Sequence, residues 1–187
     1  MSTAPLEQAI QSTRVVLAGV HTEQLESESP CKSWTVAALI NHIVGGQFFF
    51  ATMANGEAPS AEAPPDFAAG DFVAAFDQGC AASLAAFNAD GVMDRMLHLP
   101  FGEMPGAAFV GIAATDTFVH GWDLARATGQ NSDLDPPLAV GLLAGIRPAI
   151  PDAFRGPDGQ APFGPAQTAP PDACAADQLA AFLGRSV

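Results

Sequence analysis

Residues 33–56, SWTVAALINHIVGGQFFFATMANG, contain no Asp, Glu, Lys or Arg and are long enough to cross a bilayer. The middle of the stretch argues for another setting. Asn41, His42 and Gln47 would be costly in hydrocarbon, whereas inside a helical core a histidine on the inner face can be satisfied or put to use. The stretch reads as a buried helix. Ser33 or Thr35 offers a hydroxyl to its first N–H groups, and Asn55-Gly56 stops it.

Working outward, Leu6, Ile10, Leu17 and Val20 recur at spacings that favour one helix face between Pro5 and His21. His21 then falls where a helix C-terminus favours positive charge. After the first long helix pair, residues 57–70, EAPSAEAPPDFAAG, form a Pro- and Ala-rich connection. Asp71 caps a third helix through Phe72, Phe76, Leu84 and Phe87, which Asn88 to Gly91 ends. The alternation Met96, Leu97, His98, Leu99 before Pro100-Phe101-Gly102 predicts a short hairpin or irregular crossover. A fourth helix runs from Pro105 to Thr128 and closes at Gly129. A shorter helix spans Pro137 to Pro148, residues 151–173 hold one extended segment near Phe163, and a last helix covers Ala175 to Leu183. The expected fold is all-α: a four-helix bundle over residues 1–150, with a crossover between helices three and four. Residues 151–187 are a Pro- and Gly-rich extension whose terminal helix packs on the bundle.

The 187 residues suffice to bury a substantial core without staples. A net charge of −13 disfavours nucleic acid and anionic membranes as partners. Cys31, Cys80 and Cys174 are odd in number and lack a CxxC pattern, so they indicate neither a disulfide framework nor a thiolate zinc site. Arg14 is the first positive residue, with no apolar run behind a basic N-terminus, and the expected location is the cytoplasm.

Asp116 and His120 stand four apart in the fourth helix, so both project from one face one turn apart. Such a pair can chelate a first-row divalent ion. A third ligand from a facing helix would complete the set, and His42, central in the apolar second helix, is the best candidate. The alternative reading makes His42 and His120 hydrogen-bonded core residues. Asp123 is placed to orient a ligand from outside the coordination sphere, and Arg126 to bind a cofactor or substrate carboxylate. A surface ion pair between these two is the competing reading. Trp34 and Trp122 read as packing anchors that can line the site, and Phe48-Phe49-Phe50 as core or dimer surface. His98 and Glu103 read as solvated residues of the crossover, although they could approach the site from its mouth. Cys31 reads as an inert thiol rather than one activated by the following helix.

Three groups of residues carry a family resemblance. They are Ser29-Pro30-Cys31-Lys32-Ser33-Trp34-Thr35-Val36 with Leu39 and His42, then Leu99-Pro100-Phe101-Gly102-Glu103-Met104-Pro105, and then Asp116 to His120 with Gly121-Trp122-Asp123-Leu124-Ala125-Arg126-Ala127-Thr128-Gly129. Together with Phe163-Gly164-Pro165 and the Asp177-Gln178-Leu179 to Gly184-Arg185 ending, they resemble the DinB-like superfamily. The branch resembled is the mycothiol-dependent maleylpyruvate isomerase N-terminal domain of actinobacterial type. The resemblance implies a four-helix bundle holding a divalent metal, with His42, Asp116 and His120 at the ligand positions. The isomerase has Glu where Asp116 stands here, and a larger C-terminal domain that contributes to its catalysis. Fold and metal therefore carry over more readily than maleylpyruvate isomerisation.

The leading functional expectation is a metal- and thiol-dependent S-transferase or isomerase acting on a small electrophile, with mycothiol or another low-molecular-weight thiol as co-reactant. A metal-dependent hydrolase and a non-enzymatic metal- or ligand-binding module are the alternatives. Zinc is the first choice of ion, with nickel, iron and manganese compatible with the same donors. The low charge density and Phe-rich helices make a homodimer a further expectation.

Overall fold

In the computed structural model, which describes residues 2–157, 160–161 and 163–187, the charge-free stretch is helix α2 (Val36–Asn55). The Thr35 hydroxyl accepts the Ala38 N–H at 3.3 Å, and Gly56, at φ +78°, ends the helix in the left-handed region. Its mean hydropathy of 1.4 would suit a bilayer, but half of that window is buried inside the fold. Val36, Leu39, Ile40, Ile43, Val44, Phe50 and Met53 are the large apolar residues of its buried face.

Three further long helices complete the bundle: α1 (Ala4–Ala18), α3 (Phe72–Phe87) and α4 (Gly106–Thr128). The Asp71 carboxylate caps α3 by accepting the Ala74 N–H at 2.9 Å. Helix α1 lies against α4 and α3, and α2 against α3 and α4, which closes a ring around one core of Leu, Ile and Phe side chains. Gly121 permits the α1–α4 approach, since a Cβ there would overlap the Thr13 hydroxyl. Between α3 and α4 the chain forms an antiparallel hairpin, β1 (Met96–Leu99) with β2 (Gly102–Pro105), pairing Met96 with Pro105 and Leu99 with Gly102.

A buried polar chain threads all four helices. Ser83 on α3 donates to Gln47 Oε1 on α2 at 2.8 Å, Gln47 Nε2 donates to Thr117 Oγ1 on α4 at 2.8 Å, and Thr13 on α1 donates to the Thr117 carbonyl at 2.8 Å. Low dielectric strengthens these bonds and makes their loss expensive, so the chain fixes helix register as well as proximity.

Helix α5 (Pro136–Ile146), capped by Asp135, packs on α4, and α6 (Ala175–Phe182) packs on α5 and α4. Leu179, Ala180 and Ala181 of α6 are fully buried, and the Trp122 indole N–H donates to Asp177 Oδ1 at 2.8 Å. Phe163 forms an isolated parallel bridge with Arg155.

One expectation is corrected here. Helix α1 ends at Ala18, where Gln130 Nε2 from the far end of α4 bonds the Val16 carbonyl at 3.0 Å, so His21 is not in its last turn. His21 is instead the exposed residue that opens a short turn at Thr22–Gln24. The Phe triplet packs as core: Phe50 is buried, Phe48 stacks on Phe67, and Phe49 and Phe50 both meet Phe109.

Candidate metal centre

Helical spacing puts Asp116 and His120 one turn apart on α4, and the α2–α4 packing brings His42 against both. Asp116 Oδ1 lies 3.6 Å from His42 Nε2 and 3.5 Å from His120 Nε2. One ligand atom from each of the three residues falls within 4.8 Å of the other two. Donors about 2.1 Å from one tetrahedral ion stand about 3.4 Å apart, which is close to the observed spacing. The imidazole centroids are 4.5 Å apart with the rings at 75°, and the Trp34 indole covers both, with centroids 4.6 Å from His42 and 5.6 Å from His120.

His42 Nε2 supplies the test of fit. Among the described residues it is the one buried side-chain nitrogen or oxygen with no hydrogen-bond partner. A buried polar atom without a partner costs stability unless something fills its lone pair or takes its proton. The facing atoms are another imidazole nitrogen and a carboxylate oxygen, a donor set that suits a divalent first-row cation. The reading of His42 and His120 as satisfied core histidines does not describe His42.

Electrostatics agree with a site that attracts positive charge. Burial works against ionised Asp116, but the imidazoles of His120 and His42 outweigh it and hold the carboxyl well below the usual range. Burial likewise disfavours charged His120. The Asp116 charge 3.5 Å from Nε2, together with the hydrogen bond to Asp123, overrides this and raises its pKa well above the ordinary value. Metal-free, the cluster therefore keeps a proton between carboxylates, where a bound cation would supply the charge instead.

The far side of His120 is held by a fully buried carboxylate. His120 Nδ1 lies 2.9 Å from Asp123 Oδ2, an arrangement that leaves Nε2 facing Asp116 and His42. Burial pushes the Asp123 carboxyl up, but Arg185 and then His120 bring it down to about 2. Arg185 NH2 is 2.8 Å from Asp123 Oδ2 and Arg185 Nε is 3.2 Å from Oδ1, while the Cys31 thiol donates to Oδ2 at 3.3 Å. Cys31, His120 and Asp123 also cluster at ligand distances. The Arg185 guanidinium, 3.6 Å from Cys31 Sγ, already fills that position with positive charge, so this second cluster does not invite an ion.

The residues singled out from sequence separate clearly. His42, Asp116 and His120 come together, with Asp123 behind His120 and Trp34 above the rings. Arg126 does not join them: it is exposed, with its guanidinium 5.5 Å from the Trp122 ring centroid, and the cation that pairs with Asp123 is Arg185. Trp122 is fully buried and faces α6 through Asp177. His98 and Glu103 pair with each other at 2.8 Å on the exposed hairpin, a pairing across the strands that directs both to solvent. Arg185 carried no assigned role in the sequence. The available signal was its place after Gly184 in the family-like ending, in a chain with only seven Lys and Arg.

The family described as the mycothiol maleylpyruvate isomerase N-terminal domain matches residues 6–125, a span that includes the three clustered residues and Asp123 but not Arg185. Two uncharacterized proteins, from two strains of Mycobacterium tuberculosis, are each 42% identical to the chain over 181 residues, covering 97% of it and 96% of their own lengths. No solved structure matches the chain.

Proposed function

The chain belongs to the mycothiol maleylpyruvate isomerase N-terminal domain family, and from that premise we propose that it binds a divalent metal ion through His42, Asp116 and His120 and uses a low-molecular-weight thiol of mycothiol type in S-transfer to, or isomerisation of, a small electrophile. The observation that carries the metal half is the unpartnered His42 Nε2, turned toward the same point as His120 Nε2 and Asp116 Oδ1. Family membership carries the thiol half. An ion held there would supply Lewis acidity, lowering the pKa of a bound thiol or water.

The chain's own residues have definite tasks in this reading. His42 and His120 would each present a ring nitrogen to such an ion, and Asp116 would supply one compensating negative charge. Asp123 keeps the His120 proton on Nδ1 and so leaves Nε2 free to bind. Trp34 shields the imidazole faces from water on the side of the loop preceding α2. Zinc suits two nitrogens and a carboxylate best, and nickel, iron and manganese accept the same set. A reducing cytoplasm fits the three free cysteines.

Elemental analysis of protein purified without a nickel column, followed by mycothiol consumption against a panel of electrophiles, tests both halves. The expected result is one ion per chain, lost in His42→Ala, and thiol-dependent turnover in the loaded protein. Absence of the ion from protein given excess zinc refutes the metal centre. An ion without turnover, but with a ligand-dependent rise in melting temperature, replaces the enzyme by a binding module.

A further inference from the structure

Asp123 is completely buried, and its carboxylate is shared by three partners from three parts of the chain. His120 approaches from its own helix, Cys31 from the loop before α2, and Arg185 from the segment after α6. Arg185 alone contacts both carboxylate oxygens, Nε on Oδ1 and NH2 on Oδ2. A two-point grip fixes the plane of the carboxylate, whereas one contact would leave it free to turn about χ2.

The guanidinium is itself fixed. Arg185 NH1 donates to the Leu183 carbonyl at 3.2 Å, and the Arg185 backbone N–H bonds the Ala180 carbonyl at 3.0 Å. Gly184 adopts φ +98° where its backbone crosses Gly164 so closely that a Cβ would lie 2.6 Å from Gly164 Cα. The turn that delivers Arg185 to Asp123 therefore requires glycine. Arg155 ties the same segment down elsewhere, with NH1 on the carbonyls of Gly164 and Phe182 at 3.0 and 2.9 Å.

We propose that Arg185 is a positioning residue for the metal centre, its two-point grip on Asp123 holding the His120 ring so that Nε2 faces Asp116 and His42. The inference rests on the metal-binding reading above for its second readout and stands without it for its first. The C-terminal segment is thereby part of the site, although it lies outside the region of the family match.

Arg155→Met serves as the control, because it removes Arg155's bonds to the same segment while Arg185 keeps its own to Asp123, Leu183 and Ala180. The first measurement uses metal-free, 15N-histidine-labelled protein, with His120 assigned by comparison with His120→Gln. The expected result is a slowly exchanging Nδ1–H on His120 in wild type and in Arg155→Met, and its loss in Arg185→Met and Arg185→Lys. Lysine keeps the charge but not the fork. The second measurement is zinc affinity by competition with a chromophoric chelator, where both Arg185 variants should weaken binding about 10–100-fold and Arg155→Met should leave it unchanged. An unchanged His120 Nδ1–H in Arg185→Met overturns the proposal, as does equal zinc affinity in wild type and Arg185→Lys. If wild type binds no zinc, the metal reading falls and the ring signal alone decides the role of Arg185. If Arg185→Met does not fold, the Arg185→Lys comparison decides it.

Discussion

Helices α2 and α4 share two polar clusters, one buried and one half-buried, and the two follow opposite rules. In the first, Ser83, Gln47, Thr117 and Thr13 pass hydrogen bonds from helix to helix, and both ends of the Gln47 amide are engaged. In the second, one turn away, His42, Asp116 and His120 converge with no good hydrogen bond among them, and His42 Nε2 has no partner. The closed cluster needs nothing further. The open one leaves the buried His42 Nε2 facing a carboxylate and a second imidazole, an arrangement that a cation or a proton would complete.

Four measurements would break or sharpen that contrast. The largest expected effect is at His42. With zinc a thousandfold above its dissociation constant the wild type should gain about 4 kcal/mol, and His42→Ala should lose that gain entirely. Without metal the same substitution should cost less than about 1 kcal/mol, because no hydrogen bond is removed. Urea titrations with and without zinc give both numbers, and a large metal-free loss would place His42 in the closed class.

Next comes Gln47→Ala, which leaves Ser83 and Thr117 unpaired and opens a cavity. A loss of about 2–4 kcal/mol in urea unfolding is expected, with the metal-dependent gain retained. Gly121→Ala follows: the added methyl forces α1 and α4 apart at Thr13, for about 1–3 kcal/mol measured in the same way.

The smallest effect is one of pH. The groups facing His120 are Asp116 and Asp123 on α4, His42 on α2, Cys31 ahead of α2, and Arg185 beyond α6. Because its folded-state pKa lies above the unfolded value of about 6.5, the protonated ring contributes stability that is complete below that pH and is lost as pH rises through the raised value. Asp116 is held low, so its contribution is lost only as pH falls through its depressed value, on the acid side. Metal-free protein should therefore lose stability on the alkaline side of neutrality. The zinc-dependent gain should grow over the same interval, since binding displaces the proton. Thermal melts across that range check the sign, and a metal-free protein that becomes more stable with rising pH would contradict it.

The sequence showed the helices through their caps and periodicity. Thr35, Gly56, Asp71 and Gly129 punctuate the chain where expected, because capping is decided within a few residues. The Asp116–His120 pair was legible for the same reason, being a property of one helix. Asp123 and Arg126 were equally adjacent, yet the pairing drawn between them failed. Arg126 stays exposed by lying over Trp122, whereas a carboxylate as buried as Asp123 requires a cation inside the protein. That cation comes from 62 residues away, a separation across which no periodicity reports contact.

The amino-acid order by itself determined which residues could bind a metal and which segments would be helical, since both follow from side-chain chemistry and from turns of 3.6 residues. Only the tertiary structure decided that His42 would face Asp116 unpartnered, that Gln47 nearby would be satisfied, and that Arg185 would hold Asp123. Those outcomes depend on where the helices cross and where the last turn docks, positions set by core packing around Gly121 and Gly184 rather than by any local pattern.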